Sequence, residues 1–225
     1  MPIFKFFRLG YFRFMVITQS KQTENRPNDE KPFAIQLLKG KLGQAVVETY
    51  FTHFGYEIYP FGYENHYANV TRFVKRDPMD KTITKLRAMP DLLVFDRVEQ
   101  ESYLVEIKAN NLKNKSEYWI EKKCFEGYKS NWLEAFLVVY DFSSGDIRCT
   151  KISELYILRK DVLSHNSGEG YFVNWNNFHE LQFYFKRMKQ HECNELKRQI
   201  QEILGNLRNP SLKHSFAFQD DSLLN

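Results

Sequence analysis

Three charged side chains interrupt segments that otherwise read as buried strands. Asp91 follows Pro90 at the start of one apolar run, and Glu106 and Lys108 lie at the end of the next. An unpaired buried charge is costly, so these groups are expected to share partners or a ligand. Carboxylate oxygens suit Mg²⁺ or Mn²⁺, which keep several waters and accept phosphate oxygens. Such a metal can polarise a phosphodiester and lower the pKa of a bound water.

Two short strands are predicted to position these groups. Apart from Asp91 and Glu106, the runs 91–95 and 103–107 are apolar, which is typical of a sheet covered on both faces, and a short acidic turn joins them. Side chains alternate along a strand, so Glu106 and Lys108 point to the same face. The short turn lets the Asp91 carboxylate approach Glu106. A surface salt bridge from Lys108 to either carboxylate is the simpler alternative.

An amphipathic helix is predicted before these strands. Apolar residues recur at three- and four-residue steps between Lys31 and Phe54, and Gly55 ends the segment. At 100° per residue, Glu48 lies about 60° outside Ala45, at the border of the apolar stripe. A border position suits a carboxylate that serves a site.

Further helices and strands are predicted towards the C-terminus. Ser116 is expected to cap a second helix that runs to about Ser130. Strand-like segments follow at 135–140 and 147–152, and an amphipathic helix is expected around 196–207. The order through residue 140 is therefore helix, three strands, helix, strand.

The pair Pro90-Asp91 with Glu106-Ile107-Lys108 resembles the signature of the PD-(D/E)XK nuclease superfamily. The segment Gly43-Gln44-Ala45-Val46-Val47-Glu48 resembles the family's first helix, on which a glutamate often lies. The order of elements matches the family core as well, and the resemblance covers about residues 33–140. It implies an α/β, restriction-endonuclease-like fold, with a central mixed sheet flanked by helices and, here, an appended C-terminal helical element.

The resemblance also implies an activity and roles for individual residues. The activity would be that of a Mg²⁺- or Mn²⁺-dependent phosphodiesterase, with a DNA endonuclease that leaves 5′-phosphate ends favoured over an RNA enzyme. Asp91 and Glu106 would hold the metal, together with the backbone carbonyl of Ile107. Glu48 would bind it directly or through water. Lys108 would orient the attacking water or neutralise charge on the phosphate.

Charge along the chain favours a polyanionic partner. Residues 70–88 carry a local charge of +4 and residues 108–131 one of +3, whereas residues 89–107 between them carry −4. Basic flanks can hold a polyanion while central carboxylates gather a cation. Ordinary solvated faces would explain the flanks equally well. The candidate nucleic-acid contacts are Arg72, Arg76 and Arg87, with Lys122 and Lys123 where the family often places a glutamine or lysine.

The whole chain has 225 residues and a net charge of +4. Hydrophobic residues make up 43% of it, and this share is enough to build a globular core. Three cysteines without paired spacing favour reducing conditions, and a cytoplasmic location is expected. We expect four parts: a basic, aromatic N-terminal arm that can be disordered (1–31), a nuclease-like core (32–155), a helical extension packed on it (156–208) and a flexible tail (209–225). The arm could instead precede a true start at Met15.

Two other functions remain open at this stage. A catalytically inactive module with the same fold would bind nucleic acid with steep salt dependence but without metal-dependent turnover. The basic, aromatic arm could contact a membrane surface, although this is disfavoured, and no transmembrane segment is predicted. Cutting both strands of a duplex would favour a homodimer.

Overall fold

The structure is a computed structural model of the chain. It describes residues 30–62, 82, 85–86, 88–112, 116–162 and 169–208. Arg72, Arg76 and Arg87 lie outside the described residues, as do the tail and most of the N-terminal arm.

Three helices and nine strands are named here, in chain order. They are α1 (Glu30–His53), β1 (Glu57–Pro60), β2 (Leu92–Asp96), β3 (Glu101–Asn110), β4 (Glu117–Glu121), α2 (Lys122–Asn131), β5 (Phe136–Asp141), β6 (Ile147–Lys151), β7 (Ile157–Val162), β8 (Glu169–Asn174), β9 (His179–Glu180) and α3 (Gln190–Arg208).

Six strands form a mixed central sheet in the order β1-β2-β3-β5-β6-β9. Strands β3 and β5 run parallel, with Val105 opposite Phe136, and the other neighbouring pairs are antiparallel. A parallel pair needs a long crossover, and α2 lies within it. The prediction of an α/β fold with a mixed central sheet and flanking helices is therefore confirmed.

Helix α1 crosses the central sheet closely on one face. A side chain at Gly43 would place its Cβ 2.2 Å from Ala109 Cβ on β3, so the missing side chain permits this approach. Apolar residues of α1 and α3 then fill this face of the core, among them Val47, Phe51 and Leu196. The other face is filled by α2 and a second sheet, with Tyr128, Leu137 and Val173 among its buried residues.

The second sheet corrects the prediction for residues 116–130. Glu117–Glu121 is a strand, and the helix begins only at Lys122. Strand β4 pairs with β8, and β8 with β7, in an antiparallel sheet of three strands. The physical reason is a two-residue period: Tyr118 and Ile120 are buried opposite Val173 and Tyr171. This pairing outweighs the helix start expected at Ser116.

The same sheet changes the description of residues 156–208. Strands β7 and β8 occupy part of the segment expected to be a helical extension, and α3 supplies its helix. The segment just before α3 is tied to the central sheet by Arg187. Its Nη1 donates to Asp96 Oδ1 at 3.2 Å and to the Gly55 carbonyl at 3.2 Å, and Asp96 is 1% exposed.

Among the helices that the structure describes, none combines the length and the apolar composition of a membrane span.

Candidate active site

Strand β3 carries a buried carboxylate with two donors on one oxygen. Glu106 Oε1 accepts a hydrogen bond from Lys108 Nζ at 2.5 Å and another from the Tyr128 hydroxyl at 2.6 Å. The Glu106 side chain is 5% exposed, whereas that of Lys108 is 38% exposed. Both therefore lie on the same face of β3, as alternation predicts, and only the amine reaches solvent.

Asp91 directly precedes β2, next to this pair. Its Oδ2 accepts a hydrogen bond from the backbone N–H of Ile107 at 2.8 Å. The first pair of the β2–β3 register is Leu92 opposite Val105, the residues that follow Asp91 and precede Glu106. The backbone N–H of Phe61 donates to the Asp91 carbonyl at 2.8 Å, which fixes the start of β2. The structure thus brings together Asp91, Glu106 and Lys108.

Tyr128 is a site residue that the sequence analysis missed. It lies on α2, is 3% exposed, and its ring centroid is 5.9 Å from Lys108 Nζ. The sequence feature that could have identified Tyr128 is its helical spacing from Phe125, which is buried on the same helix. Lys122 and Lys123, which were singled out instead, lie elsewhere on α2. Lys122 pairs with Glu169 on β8 at 2.5 Å, and Lys123 is exposed.

The electrostatics of the site keep Lys108 charged. Burial alone would lower the pKa of Lys108, but Glu106, Tyr128 and Asp91 outweigh burial and raise it well above its usual value. Burial, reinforced by the charge of Glu106, raises the pKa of Tyr128. At neutral pH Lys108 is therefore an ammonium and Tyr128 a neutral donor. Lys108 can stabilise negative charge, but it is not available as a general base.

Glu48 is half-buried on α1, the helix that covers the opposite face of the central sheet from Glu106 and Tyr128. Its Oε1 accepts a hydrogen bond from Gln44 Nε2 at 2.9 Å, one helical turn earlier. Gln44 in turn lines a cavity of about 250 Å³ together with Asp91, Ile107 and Lys108. Glu48 is thus connected to the site through Gln44, a residue whose role the sequence analysis did not identify.

The chemistry of the oxygen donors fits a hard divalent cation. Asp91 and Glu106 offer carboxylates from adjacent strands, and Mg²⁺ is commonly held by one or two carboxylates with waters and substrate phosphates completing its shell. Within the described residues, no three or more His, Cys, Asp or Glu side chains group closely enough to hold a metal. A cation here would therefore depend on two carboxylates, with Glu48 acting from a distance.

A second cavity of about 380 Å³ adjoins the first. Gln36 and Lys108 line both cavities, so the Lys108 residue borders each of them. The second cavity is bordered by the end of β3, by β4 and by α2, with Asn110, Tyr118, Trp119, Glu121, Cys124 and Tyr128 among its lining residues.

Comparison with known proteins gives a likeness to a solved structure. No protein-family model matches the chain, and no curated protein matches it. Among solved structures, the chain is similar to that of D212, described as a nuclease from a fusselovirus. The two are 12% identical, the match covers 80% of this chain and 99% of the other, and the TM-score is 0.35. The functional proposal rests on the geometry of Asp91, Glu106 and Lys108.

Proposed function

We propose that this protein is a metal-dependent nuclease that hydrolyses phosphodiester bonds. The observation that carries the proposal is the buried Glu106 carboxylate, held 2.5 Å from a partly exposed lysine, with Asp91 bonded to the N–H of the intervening Ile107. Burying charges within a sheet is costly, and an apolar pair would fill the same space at lower cost. Asp91 and Lys108 line an open cavity, where a polyanionic substrate and its cation would give these charges a function.

Each residue has a separate task in this proposal. Mg²⁺ or Mn²⁺, when bound, supplies polarisation of the phosphodiester and a more acidic water. Asp91, Glu106 and the Ile107 carbonyl would hold the ion. Lys108 would stabilise the negative charge that develops on the phosphate. Glu48 would act through Gln44 or a water.

We further propose DNA as the substrate, cut within the strand to leave 5′-phosphate ends, as the family resemblance implies. Lys122 and Lys123, with Arg72, Arg76 and Arg87 outside the described residues, would contact the sugar-phosphate backbone. A homodimer would bring two sites to a duplex. The protein would act in the cytoplasm.

A second candidate is a catalytically inactive module that binds nucleic acid. Two observations favour it: Lys108 already neutralises Glu106 at 2.5 Å, and the described residues group no third acidic ligand with Asp91 and Glu106. Such a module would bind with steep salt dependence and would not need a divalent ion.

The test is a cleavage assay with the full chain on plasmid, linear duplex, single-stranded DNA and RNA, with Mg²⁺, Mn²⁺ or EDTA. Asp91→Asn and Glu106→Gln should each abolish cleavage, because each removes one charge from the ion's ligands. Glu99→Gln is the matched control, since Glu99 is an exposed residue in the β2–β3 turn. Cleavage that persists in EDTA, or in both site variants, would contradict the proposal. Salt-dependent binding without any cleavage would establish the second candidate.

A further inference from the structure

We infer that the cavity between β4, α2 and the end of β3 binds one unstacked nucleobase, so that the substrate is single-stranded or locally unpaired nucleic acid. This inference rests on the proposed function, because the occupant is the nucleotide next to the phosphate held at Lys108.

The position of the cavity selects a nucleotide as its occupant. Lys108 borders both this cavity and the one that Asp91 lines, so a ligand in either volume meets the same residue. A chain whose phosphate contacts Lys108 therefore has its neighbouring nucleoside at the mouth of the second cavity. The volume of about 380 Å³ falls in the range of small-molecule sites, and a base pair stacked in a duplex cannot enter it.

The walls of the cavity match the chemistry of a base. Trp119 is half-buried and provides aromatic surface, and bases stack on such side chains whatever their identity. Tyr118 and Tyr128 also line the cavity but are only 4% and 3% exposed. Asn110, Gln36 and Glu121 add polar groups at the rim. A flat, heteroaromatic ligand with donors and acceptors along its edge satisfies both kinds of wall.

Strand β4 contributes its backbone to the same cavity. Four consecutive residues, 118–121, line it. Side chains alternate between the two faces of a strand, so a cavity that meets every residue of a run lies along the edge of that strand. Strand β4 pairs with β8, and none of the other described strands pairs with its second edge. An extended peptide could also pair with such an edge, but the shared Lys108 favours the nucleotide.

Cys124 provides a direct probe of occupancy. It lines the cavity and is half-buried, whereas Cys149 and Cys193 are buried at 0% and 8% exposure. We would measure iodoacetamide alkylation of Cys124 in EDTA, located by peptide mass spectrometry, in the full chain. A single-stranded oligonucleotide at ten times its Kd should slow alkylation about tenfold, because only about a tenth of the sites stay free. Intact duplex and an abasic strand of equal length, each at ten times its own Kd, should not protect.

A pair of variants tests the same cavity without the thiol. Cys124→Phe fills it and should weaken single-strand affinity about tenfold, within the range of one lost base stack. Ser130→Phe places the same ring at an exposed position near the end of α2, outside the residues that line the cavity, and should leave affinity within about twofold, because it leaves the base stack intact. Thermal unfolding of both variants identifies any that fails to fold. Trp119→Phe, which keeps an aromatic wall, should retain most of the affinity.

The outcomes separate this inference from the proposed function. Metal-dependent cleavage without protection of Cys124, or equal protection by the abasic strand, overturns the inference and leaves the nuclease intact. Protection by the single strand without any cleavage supports the base site and overturns the nuclease. If no nucleic acid binds the protein or protects Cys124, the inference and the proposed function are both wrong.

Discussion

Tyr128 on α2 and Glu106 on β3 are joined by a hydrogen bond of 2.6 Å between the helix and the central sheet. The same oxygen of Glu106 binds Lys108 Nζ at 2.5 Å. The phenol thus fixes the rotation of the carboxylate, and no described residue hydrogen-bonds to Glu106 Oε2, the oxygen that a cation would use. Tyr128 is a positioning residue in this arrangement.

Tyr128→Phe tests that role. Removing the hydroxyl should raise the Mn²⁺ concentration needed for half-maximal cleavage by about tenfold, as expected when a partner that orients a metal ligand is lost. The measurement is cleavage rate against Mn²⁺ concentration. Tyr171→Phe is the control, because Tyr171 also donates to a glutamate, with Glu126 Oε1 at 2.9 Å, but from β8. Equal effects of the two changes would mean that Tyr128 is only structural.

Lys108→Met tests the ammonium. The variant keeps the length of the side chain but removes the charge, so the cleavage rate should fall by about 10²- to 10³-fold. Glu106 would also lose a partner while buried, which should lower the free energy of unfolding by about 1–3 kcal/mol. Initial rates measure the effect on cleavage, and urea unfolding measures the effect on stability. Lys186→Met, at an exposed lysine outside the site, should change the cleavage rate little.

The close crossing of α1 over β3 predicts opposite effects of the same substitution at two glycines. Gly43→Ala would place a Cβ 2.2 Å from Ala109 Cβ and should destabilise the protein by about 1–3 kcal/mol. Gly40→Ala meets nothing within 4 Å and should stabilise it by about 0.5–1 kcal/mol through helix propensity. Urea unfolding measures both. Combining Gly43→Ala with Ala109→Gly should restore most of the stability. If it does not, residues 43 and 109 are not in close contact between α1 and β3.

Acid stability should depend on Asp141. Burial alone would raise its pKa, but hydrogen bonds from the Leu112 N–H and from Ser143 and Ser144 lower it below the usual value. A pKa lowered on folding adds stability above the unfolded-state pKa of about 4, and this stability is lost as the pH falls through the lower folded value. Asp141→Asn should therefore be less stable than the wild type at pH 7, with a smaller difference towards pH 2. Unfolding curves from pH 7 to pH 2 measure this difference in stability. A difference that stays constant with pH would contradict a lowered pKa of Asp141.

The sequence predicts the local part of the site and misses the long-range part. Glu106 and Lys108 share a face because strand alternation needs no tertiary information, and Asp91 follows from the short turn before β3. Tyr128 was missed because its direction depends on where α2 begins. That start is set by β4, whose partner β8 lies about fifty residues away. Such a pairing leaves no trace in the periodicity of either segment.

The pairing of β4 with β8 also bears on where this chain can be cut. A fragment that ends at residue 155 would retain the three charged site residues and α2. It would lose β8, the strand that pairs with Tyr118 and Ile120. An unpaired apolar strand would then lie exposed beside the candidate active site. Such a fragment should aggregate, and because α3 also fills the core, shortened versions of the chain need to keep residues 32–208.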